Sequence, residues 1–285
     1  MSLSSTPFGA FKTLKGTKMR SSTSLSYALS ASIMLSFVAG CSNTGNAGGG
    51  SAFAPPTQTS SAQRKSPLRL VFTSCHNTSA SSHPQGVPLG SAASFGVLAG
   101  STVTSVAYTV VNGNLGVSPG TSITGFPPGI VNGNMYSAGP VAAQAQADLA
   151  IAYSNAVARP NASPLPADIG GMTITPGVYV APVSLGISGT VTLNGQNHPN
   201  SVFIFQIPST LTTAVNSAVT LTNQANACNI FWQVGSSATL NTASIFSGTI
   251  MAAASISLGT GSSVTGRVLA QSGAVTLLDN AVSVP

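Results

Sequence analysis

From Leu89 onward, short apolar runs are separated by segments rich in Gly, Asn, Ser and Thr. Residues 190–193 (TVTL) alternate between apolar and polar, whereas residues 202–207 (VFIFQI) form a short and nearly continuous apolar run. Both patterns, bounded by turn residues, are typical of β-strands. They predict a mainly β domain over residues 86–285.

One segment departs from this pattern. Residues 140–159 are rich in Ala and Gln, and their apolar side chains recur at helical spacing. This stripe comprises Val141, Ala145, Leu149, Ala152 and Ala156. Pro140 suits the first turn of a helix, and Pro160 follows its end. The segment predicts one helix, about 140–159, with the stripe packed against the strands.

The C-terminal third of the chain repeats itself. Three similar apolar segments occur at offsets of 19 and 18 residues: 229–234 (NIFWQV), 248–253 (GTIMAA) and 266–271 (GRVLAQ). Each is followed by a second similar segment: 238–240 (ATL), 256–258 (ISL) and 275–278 (VTLL). Repeats of this length fit one coil of a solenoid with two or three strands. The Leu and Val side chains then point inward and form a continuous core.

A third set of similar segments follows the leucines: 213–216 (TAVN), 242–245 (TASI), 260–263 (TGSS) and 280–283 (NAVS). Stacked coils place such groups about 4.8 Å apart in a row. Thr offers a hydroxyl and a methyl group with few rotamers to lose. We therefore take this row as the candidate binding surface, with the residues Thr213, Asn216, Thr242, Ser244, Thr260, Ser262, Ser263, Asn280 and Ser283.

The N-terminal region resembles an export signal. Four cationic residues lie within residues 12–20, and residues 25–40 are an uncharged apolar stretch too short for a comfortable membrane span. Initiation at Met19 gives a more usual signal length. Residues 38–41 (VAGC) resemble the bacterial lipobox, which predicts an export signal over residues 1–41 and lipidation at Cys41. The alternative is an ordinary signal that happens to contain a cysteine.

Residues 42–85 are rich in Ser, Gly, Asn, Thr, Gln and Pro, as in a flexible tether. Cys75 lies in this tether and Cys228 in the domain, so the two could pair if Cys41 carries a lipid. The expected location is outside the cell, either as a lipoprotein of the cell surface or outer membrane, or secreted. Only the lipid on Cys41 would contact a membrane.

Charge and composition exclude several function classes. Of the nine cationic residues behind the net charge of +6, seven lie before residue 70; beyond it, two Arg and three Asp remain. Without a basic stripe to neutralise phosphates, we expect no nucleic-acid partner. The domain has no Glu and one His, His198, so a metal site, a cofactor site or an acid–base catalytic site is hard to assemble.

One motif has a catalytic form. Residues 116–120 (GVSPG) fit G-x-S-x-G, the sequence around the nucleophile of many hydrolases. However, Pro119 lacks the backbone N–H that the residue after the nucleophile contributes to an oxyanion hole. We interpret the segment as a turn and the protein as not an enzyme.

Several long motifs, in one order, resemble the DUF3494-type ice-binding proteins of cold-adapted microbes. The resemblance covers residues 89–284 and is carried by residues 89–100 (LGSAASFGVLAG), 113–120 (GNLGVSPG), 125–129 (GFPPG), 175–179 (TPGVY), 202–207 (VFIFQI) and 228–235 (CNIFWQVG). It implies a discontinuous right-handed β-solenoid of triangular section with one long helix alongside.

The resemblance also implies a function. The family binds ice through one flat solenoid face, and some members carry a loose Thr-Ala/Gly-X-Thr/Asn motif there. Residues 213–216 match that motif, and the other three segments match it in part. Family members also use N-terminal coils, which adds Thr102 and Thr121 as candidates. The implied activity is inhibition of ice growth and recrystallisation by a monomer, as an adaptation to cold.

The competing interpretation is a structural or adhesive cell-surface solenoid, in which the Thr rows are only a solvated face. An adhesive groove should carry aromatic or acidic side chains, and the candidate row has none. Phe231 and Trp232 are more simply core residues than a sugar-binding platform. The absence of charge and bulk along the row favours the ice-binding interpretation.

Overall fold

The computed structural model describes residues 85–285. Within them the chain forms 22 strands, one α-helix and two 3-10 turns. The elements that precede the helix are η1 (Gly90–Ser94), β1 (Phe95–Ala99), β2 (Thr102–Val106), β3 (Val110–Asn112), β4 (Asn114–Val117), β5 (Ser122–Thr124), β6 (Ile130–Asn132) and β7 (Met135–Ser137). The helix is α1 (Pro140–Val157).

Fifteen strands and the second 3-10 turn follow the helix. They are β8 (Ser163–Pro164), β9 (Thr173–Ile174), β10 (Gly177–Val180), β11 (Leu185–Ile187), β12 (Thr190–Asn194), β13 (Phe203–Ile207), β14 (Leu211–Thr213), β15 (Ala218–Thr222), η2 (Ala227–Asn229), β16 (Ile230–Val234), β17 (Ala238–Leu240), β18 (Ile245–Ala252), β19 (Ile256–Leu258), β20 (Ser263–Ala270), β21 (Val275–Leu278) and β22 (Ala281–Ser283).

All named strand pairs are parallel, and the chain winds as a β-solenoid with three strands in each coil. The solenoid therefore has three sides. The flat side is the seven-stranded sheet β11-β14-β17-β19-β21-β2-β5. The helix side contains β10, β13, β16 and their neighbours, and the third side contains β12, β15, β22, β3 and β6. The long strands β18 and β20 bend from the third side to the helix side.

The order of the coils along the axis is not the order of the sequence. The last coil, with β21, pairs through its strands with the first coil, so that Val275 lies opposite Val103 and Val268 lies opposite Val97. The C-terminal coils and the N-terminal coils thus form one continuous stack. This arrangement confirms the discontinuous solenoid that the resemblance implied.

The helix makes this arrangement possible. On the helix side, β7 lies at one end of the stack and β8 at the other, with seven strands between them. Eight strand spacings correspond to about 38 Å. The 18 residues of α1 span about 27 Å. The short linkers at its two ends cover the remainder, so the helix returns the chain along the full stack.

The core has two parts. Inside the solenoid, the alternate apolar residues of all three sides pack together, including Leu193, Ile207, Leu240 and Ile256. Outside it, one face of α1 packs against the outward residues of the helix side, such as Ile204, Phe231 and Leu269. The helix side is therefore buried on both faces, whereas the other two sides have one face open to solvent.

Polar contacts fix the helix in place. The Gln206 side-chain amide lies 2.9 Å from the carbonyl oxygens of Ala156 and Arg159, at the C-terminal end of α1, where carbonyls lack helical partners. Asp148 accepts hydrogen bonds from the backbone N–H and the hydroxyl of Ser91. These bonds, together with one from Gln144, hold the pKa of the Asp148 carboxyl below its usual value.

Two details of the sequence-based prediction need correction. Val141 is 45% exposed, and Ala142 takes its place on the buried face of α1 beside Ala145 and Leu149. The coil offset of 19 residues was wrong by one, because Trp232 pairs with Ile250 at an offset of 18. The offset of 18 between Gly248 and Gly266 and the stacking of the segments at 238, 256 and 275 are confirmed.

The signal, the tether and the lipidation at Cys41 fall outside residues 85–285. Cys228 is disulfide-bonded. Cys75, its candidate partner, also lies outside the described residues. No helix in the described part of the chain combines the length and the apolar character needed to cross a lipid bilayer.

Candidate binding surface

A row of small side chains runs across the middle of the flat side. In β14, Leu211 is buried and Thr212 is exposed, because successive strand residues point to opposite faces. The pairing register places the equivalent residue of every strand next to it. We call this row the inner ladder; in spatial order it is Gly186, Thr212, Thr239, Ser257, Thr276, Thr104 and Thr124.

A second row lies two residues earlier in each strand. We call it the outer ladder; in the same order it is Ser184, Thr210, Ser237, Ser255, Ala274, Thr102 and Ser122. Twelve of these fourteen positions are Thr or Ser, and the exceptions, Gly186 and Ala274, are smaller still. No charged or aromatic side chain interrupts either ladder.

The two ladders form a nearly rectangular grid. Neighbouring strands are about 4.8 Å apart, and residues two apart along a strand are about 6.6 Å apart. The residues between the ladders point into the core and are buried, as for Val103 and Leu211 at 0% exposure, except that Ile123 on the last strand is half-buried. A tightly packed core beneath a sheet holds its outer face rigid. The flat side is thus a stiff and regular array of hydroxyl and methyl groups.

The ladders differ in their hydrogen bonds. Within residues 85–285, the hydroxyls of the inner ladder have no protein partner and are left to water. In the outer ladder, Ser237 and Ser255 accept bonds from the backbone of the next coil. The Thr210 hydroxyl lies 2.9 Å from that of Ser184 and donates to it.

The other two sides offer less regular surfaces. The helix side is covered by α1. On the third side, Ile245 is 60% exposed and Ile130 is 39% exposed, so bulky side chains rise from the sheet. Its polar row includes amides that bond to one another, as Asn132 does to Asn112 at 2.7 Å. Along its two ladders, the flat side combines regular spacing with small side chains; Val106, 53% exposed at the end of β2, is a bulky neighbour beyond them.

The structure places the residues predicted from the sequence mainly at one corner. Segments 213–216, 242–245, 260–263 and 280–283 turn the chain from the flat side to the third side. Four of the predicted residues are buried: Thr213 at 1% exposure, Ser244 at 1%, Ser262 at 0% and Asn280 at 3%. Their burial keeps them from contact with an external surface, so these four residues do not lie on the surface that the sequence predicted for them.

The buried corner residues have a structural role instead. The Thr213 and Ser244 hydroxyls lie 2.8 Å apart, and the Ser244 hydroxyl donates to the Asn241 carbonyl at 2.7 Å. The Asn280 side-chain amide donates to the Gly259 carbonyl and to the Ser262 hydroxyl at 2.8 and 2.9 Å. The Thr213 and Asn280 bonds join adjacent coils at the corner, and the Ser244–Asn241 bond closes the turn within its own coil.

The remaining predicted residues lie near the solvent. Asn216, Thr242 and Thr260 are exposed along the outside of the corner, and Ser263 and Ser283 are half-buried on the third side. Thr121 is exposed just before β5. Thr102 is the one predicted residue that belongs to a ladder of the flat side.

The sequence contained a signal for the ladder that the prediction missed. The segments 238–240 and 256–258 place one polar residue between two inward apolar residues. With a period of two, Thr239 and Ser257 must point outward from the same strands. The prediction placed Thr213 on the binding surface, whereas its neighbour Thr212 is the residue that faces solvent. Successive strand residues point to opposite faces, so an error of one residue exchanges the solvent-facing side for the core-facing side.

Among residues 85–285, no group of three or more His, Cys, Asp or Glu side chains could hold a metal ion. Ser118, from the hydrolase-like motif, is 7% exposed, and residues 116–117 belong to the buried strand β4.

Comparisons with known proteins identify the family and agree with the fold. A sequence model described as ice-binding-like matches residues 97–283. An ice-binding protein from Nostoc sp. (strain HG1) is 51% identical over 197 residues, which cover 68% of this chain and 73% of the relative.

Solved structures show the same architecture. The crystal structure of an ice-binding protein from an Antarctic biological consortium has 44% sequence identity and a TM-score of 0.70, and the match covers 71% of this chain and 93% of the other. That of an ice-binding protein from the Antarctic ascomycete Antarctomyces psychrotrophicus has 41% identity and a TM-score of 0.69, covering 70% and 99%. On these matches, the chain belongs to the ice-binding-like family.

Proposed function

We propose that this protein binds ice crystals through the flat side of its solenoid and thereby slows ice growth and recrystallisation. The observation that carries the proposal is the pair of Thr/Ser ladders, which presents twelve hydroxyl-bearing side chains on a rigid grid. The names of the relatives and solved structures support ice as the partner. The surface assigned to it is our own inference.

The chemistry of the ladders suits a crystal of water. Ice differs little from the liquid around it, so recognition requires many weak contacts at regular spacing. A rigid face loses little conformational entropy on binding. Interleaved methyl and hydroxyl groups order a layer of water that merges with the lattice. Adsorbed molecules force the ice front to curve between them, and a curved front grows more slowly.

This activity needs no covalent step, and we propose that the protein is not an enzyme. The ladders carry no ionisable side chain and therefore no general acid or base. The binding surface is one uninterrupted sheet from β11 to β5, so a single molecule presents it complete. We propose that the protein acts as a monomer without a cofactor.

The direct test of the proposed function is ice growth in the presence of the purified full chain. We expect faceted crystals in place of discs and slowed coarsening of polycrystalline ice, with albumin at equal concentration as the control. Disc-shaped growth at unchanged speed by a folded protein contradicts the proposal. That outcome favours the structural or adhesive alternative for the same solenoid.

We also propose that the protein works outside the cell, held at its surface by a lipid on Cys41. The disulfide at Cys228 supports an oxidising compartment. In a bacterial host, we expect the wild type in the membrane fraction and the Cys41→Ala variant in the soluble exported fraction. Equal partition of both proteins contradicts the lipid anchor, and retention in the cytoplasm contradicts export.

A further inference from the structure

Ser237 and Ser255 of the outer ladder, like Ser184, accept a backbone N–H from the neighbouring coil. The backbone N–H of Ser255 donates to the Ser237 Oγ at 3.3 Å, and the backbone N–H of Ala274 donates to the Ser255 Oγ at 3.2 Å. Among residues 85–285, these two amides have no other acceptor. Each serine therefore extends the hydrogen-bond ladder by one rung before the regular strand begins.

The backbone beside Ser255 is shaped to accommodate its hydroxyl. Gly273 precedes Ala274 at the corner of the next coil, and a Cβ atom at that position would collide with the Ser255 Oγ. The strands that follow begin at Ile256 and Val275, directly after the bonded residues. The contact thus sets where two adjacent strands of the flat side start.

The bonds also orient the hydroxyls. An Oγ that accepts a backbone N–H keeps its own hydrogen free to donate, and that hydrogen points away from the donating amide. Ser237 and Ser255 therefore offer donors of restricted direction. In contrast, the inner-ladder hydroxyls of Thr239, Ser257 and Thr276 have no protein partner in the described structure and rotate freely to suit the adjacent water.

We infer that Ser237 and Ser255 are positioning residues, which hold the starts of β17, β19 and β21 in register so that the inner ladder keeps its spacing. This inference rests on the proposed ice-binding function of the flat side. The two ladders then have different roles. The inner ladder contacts the ice, and Ser237 and Ser255 of the outer ladder keep the strands that carry it at the correct spacing. A crystal lattice tolerates little error in spacing, so the register determines the activity.

The test compares two serines that lie two residues apart. The Ser255→Ala variant removes an Oγ bonded to the backbone, and the matched Ser257→Ala variant removes one that has no protein partner. For Ser255→Ala we expect hydrogen exchange of the Ala274 amide to be about fivefold to tenfold faster and inhibition of recrystallisation to fall. For Ser257→Ala we expect unchanged exchange at Ala274.

The Ser255→Thr variant supplies the rescue. Thr102 and Thr210 occupy equivalent ladder positions, so a threonine fits there. We expect it to restore both the slow exchange of Ala274 and the activity in ice. A general loss of stability would lower the melting temperature. It would not speed exchange at the Ala274 amide alone, and Ser255→Thr would not restore that exchange rate.

The outcomes separate the two hypotheses. Full activity in Ser255→Ala overturns the positioning role, and so does lost activity with unchanged exchange at Ala274, since Ser255 would then contact ice directly. Faster exchange at Ala274 in Ser257→Ala also overturns it. A wild-type protein without effect on ice refutes the proposed function itself, and this inference with it.

Discussion

Replacing Thr239 with tyrosine is expected to abolish ice faceting and recrystallisation inhibition while the fold remains intact. Thr239 lies on β17, the third of the seven strands of the flat side, with Thr212 and Ser257 as its neighbours along the inner ladder. A tyrosine ring there rises well above the grid and holds the neighbouring rows away from a planar crystal. Many weak contacts are then lost together.

The expected cost in stability is small. Thr239 points away from the core, and substitutions at such surface positions usually change the free energy of unfolding by about 0.5 kcal/mol or less. Circular dichroism and the melting temperature should therefore match those of the wild type. The measurement is the ice-growth assay at equal protein concentration.

Two matched variants locate the surface. Thr220→Tyr adds the same ring at an exposed position of β15, on the third side, and we expect it to keep wild-type activity. Thr260→Tyr adds it on the outside of the corner predicted from the sequence. Activity lost in Thr260→Tyr and kept in Thr239→Tyr would move the binding surface from the flat side to the corner.

The contrast between these positions shows how far the sequence determines the site. The residue types and the repeat were sufficient to predict a row of Thr and Ser near the leucines of each coil. They did not determine which of two adjacent threonines, Thr212 or Thr213, faces solvent. That choice depends on where the strand ends and the turn begins, because the hydroxyl of Thr213 turns inward to meet Ser244.

The repeat pattern could not predict the spatial order of the ladder residues along the solenoid. Thr276 lies beside Thr104, although 172 positions separate them in the chain. No local periodicity joins the first coil to the last; only the return of the chain through α1 brings them together. The resemblance to a known family predicted that the coils are not stacked in sequence order. The pairing register of the strands then showed which ladder residues are neighbours.

The largest effect on stability is expected for Trp232→Ala. Trp232 is fully buried inside the solenoid and stacks on Phe205, with ring centroids 3.9 Å apart and an angle of 9° between the rings. Phe246 packs against its other side at 5.1 Å, and Tyr179 continues the row beyond Phe205 at 5.7 Å. Four aromatic rings from three adjacent coils thus form a continuous column, with Tyr179 at its partly buried end.

Removal of the indole leaves a cavity that the adjacent rings cannot fill without breaking the stack. Truncation of a buried Trp typically costs about 3–5 kcal/mol. The Ser247 carbonyl also loses the indole N–H that donates to it at 3.0 Å. We expect the lost packing and the lost hydrogen bond together to lower the melting temperature strongly, or to prevent the last coils from docking on the first.

The Trp232→Phe variant keeps one ring in the column but removes the N–H and part of the indole. We expect it to lose about 1–3 kcal/mol for leaving the Ser247 carbonyl without that donor, with a smaller loss of packing than in Trp232→Ala. Urea denaturation followed by far-ultraviolet circular dichroism measures both variants. A Trp232→Ala protein within about 1 kcal/mol of the wild type would show that the column contributes little. The rigidity of the flat side would then have to come from its own strands and corner bonds rather than from the core beneath it.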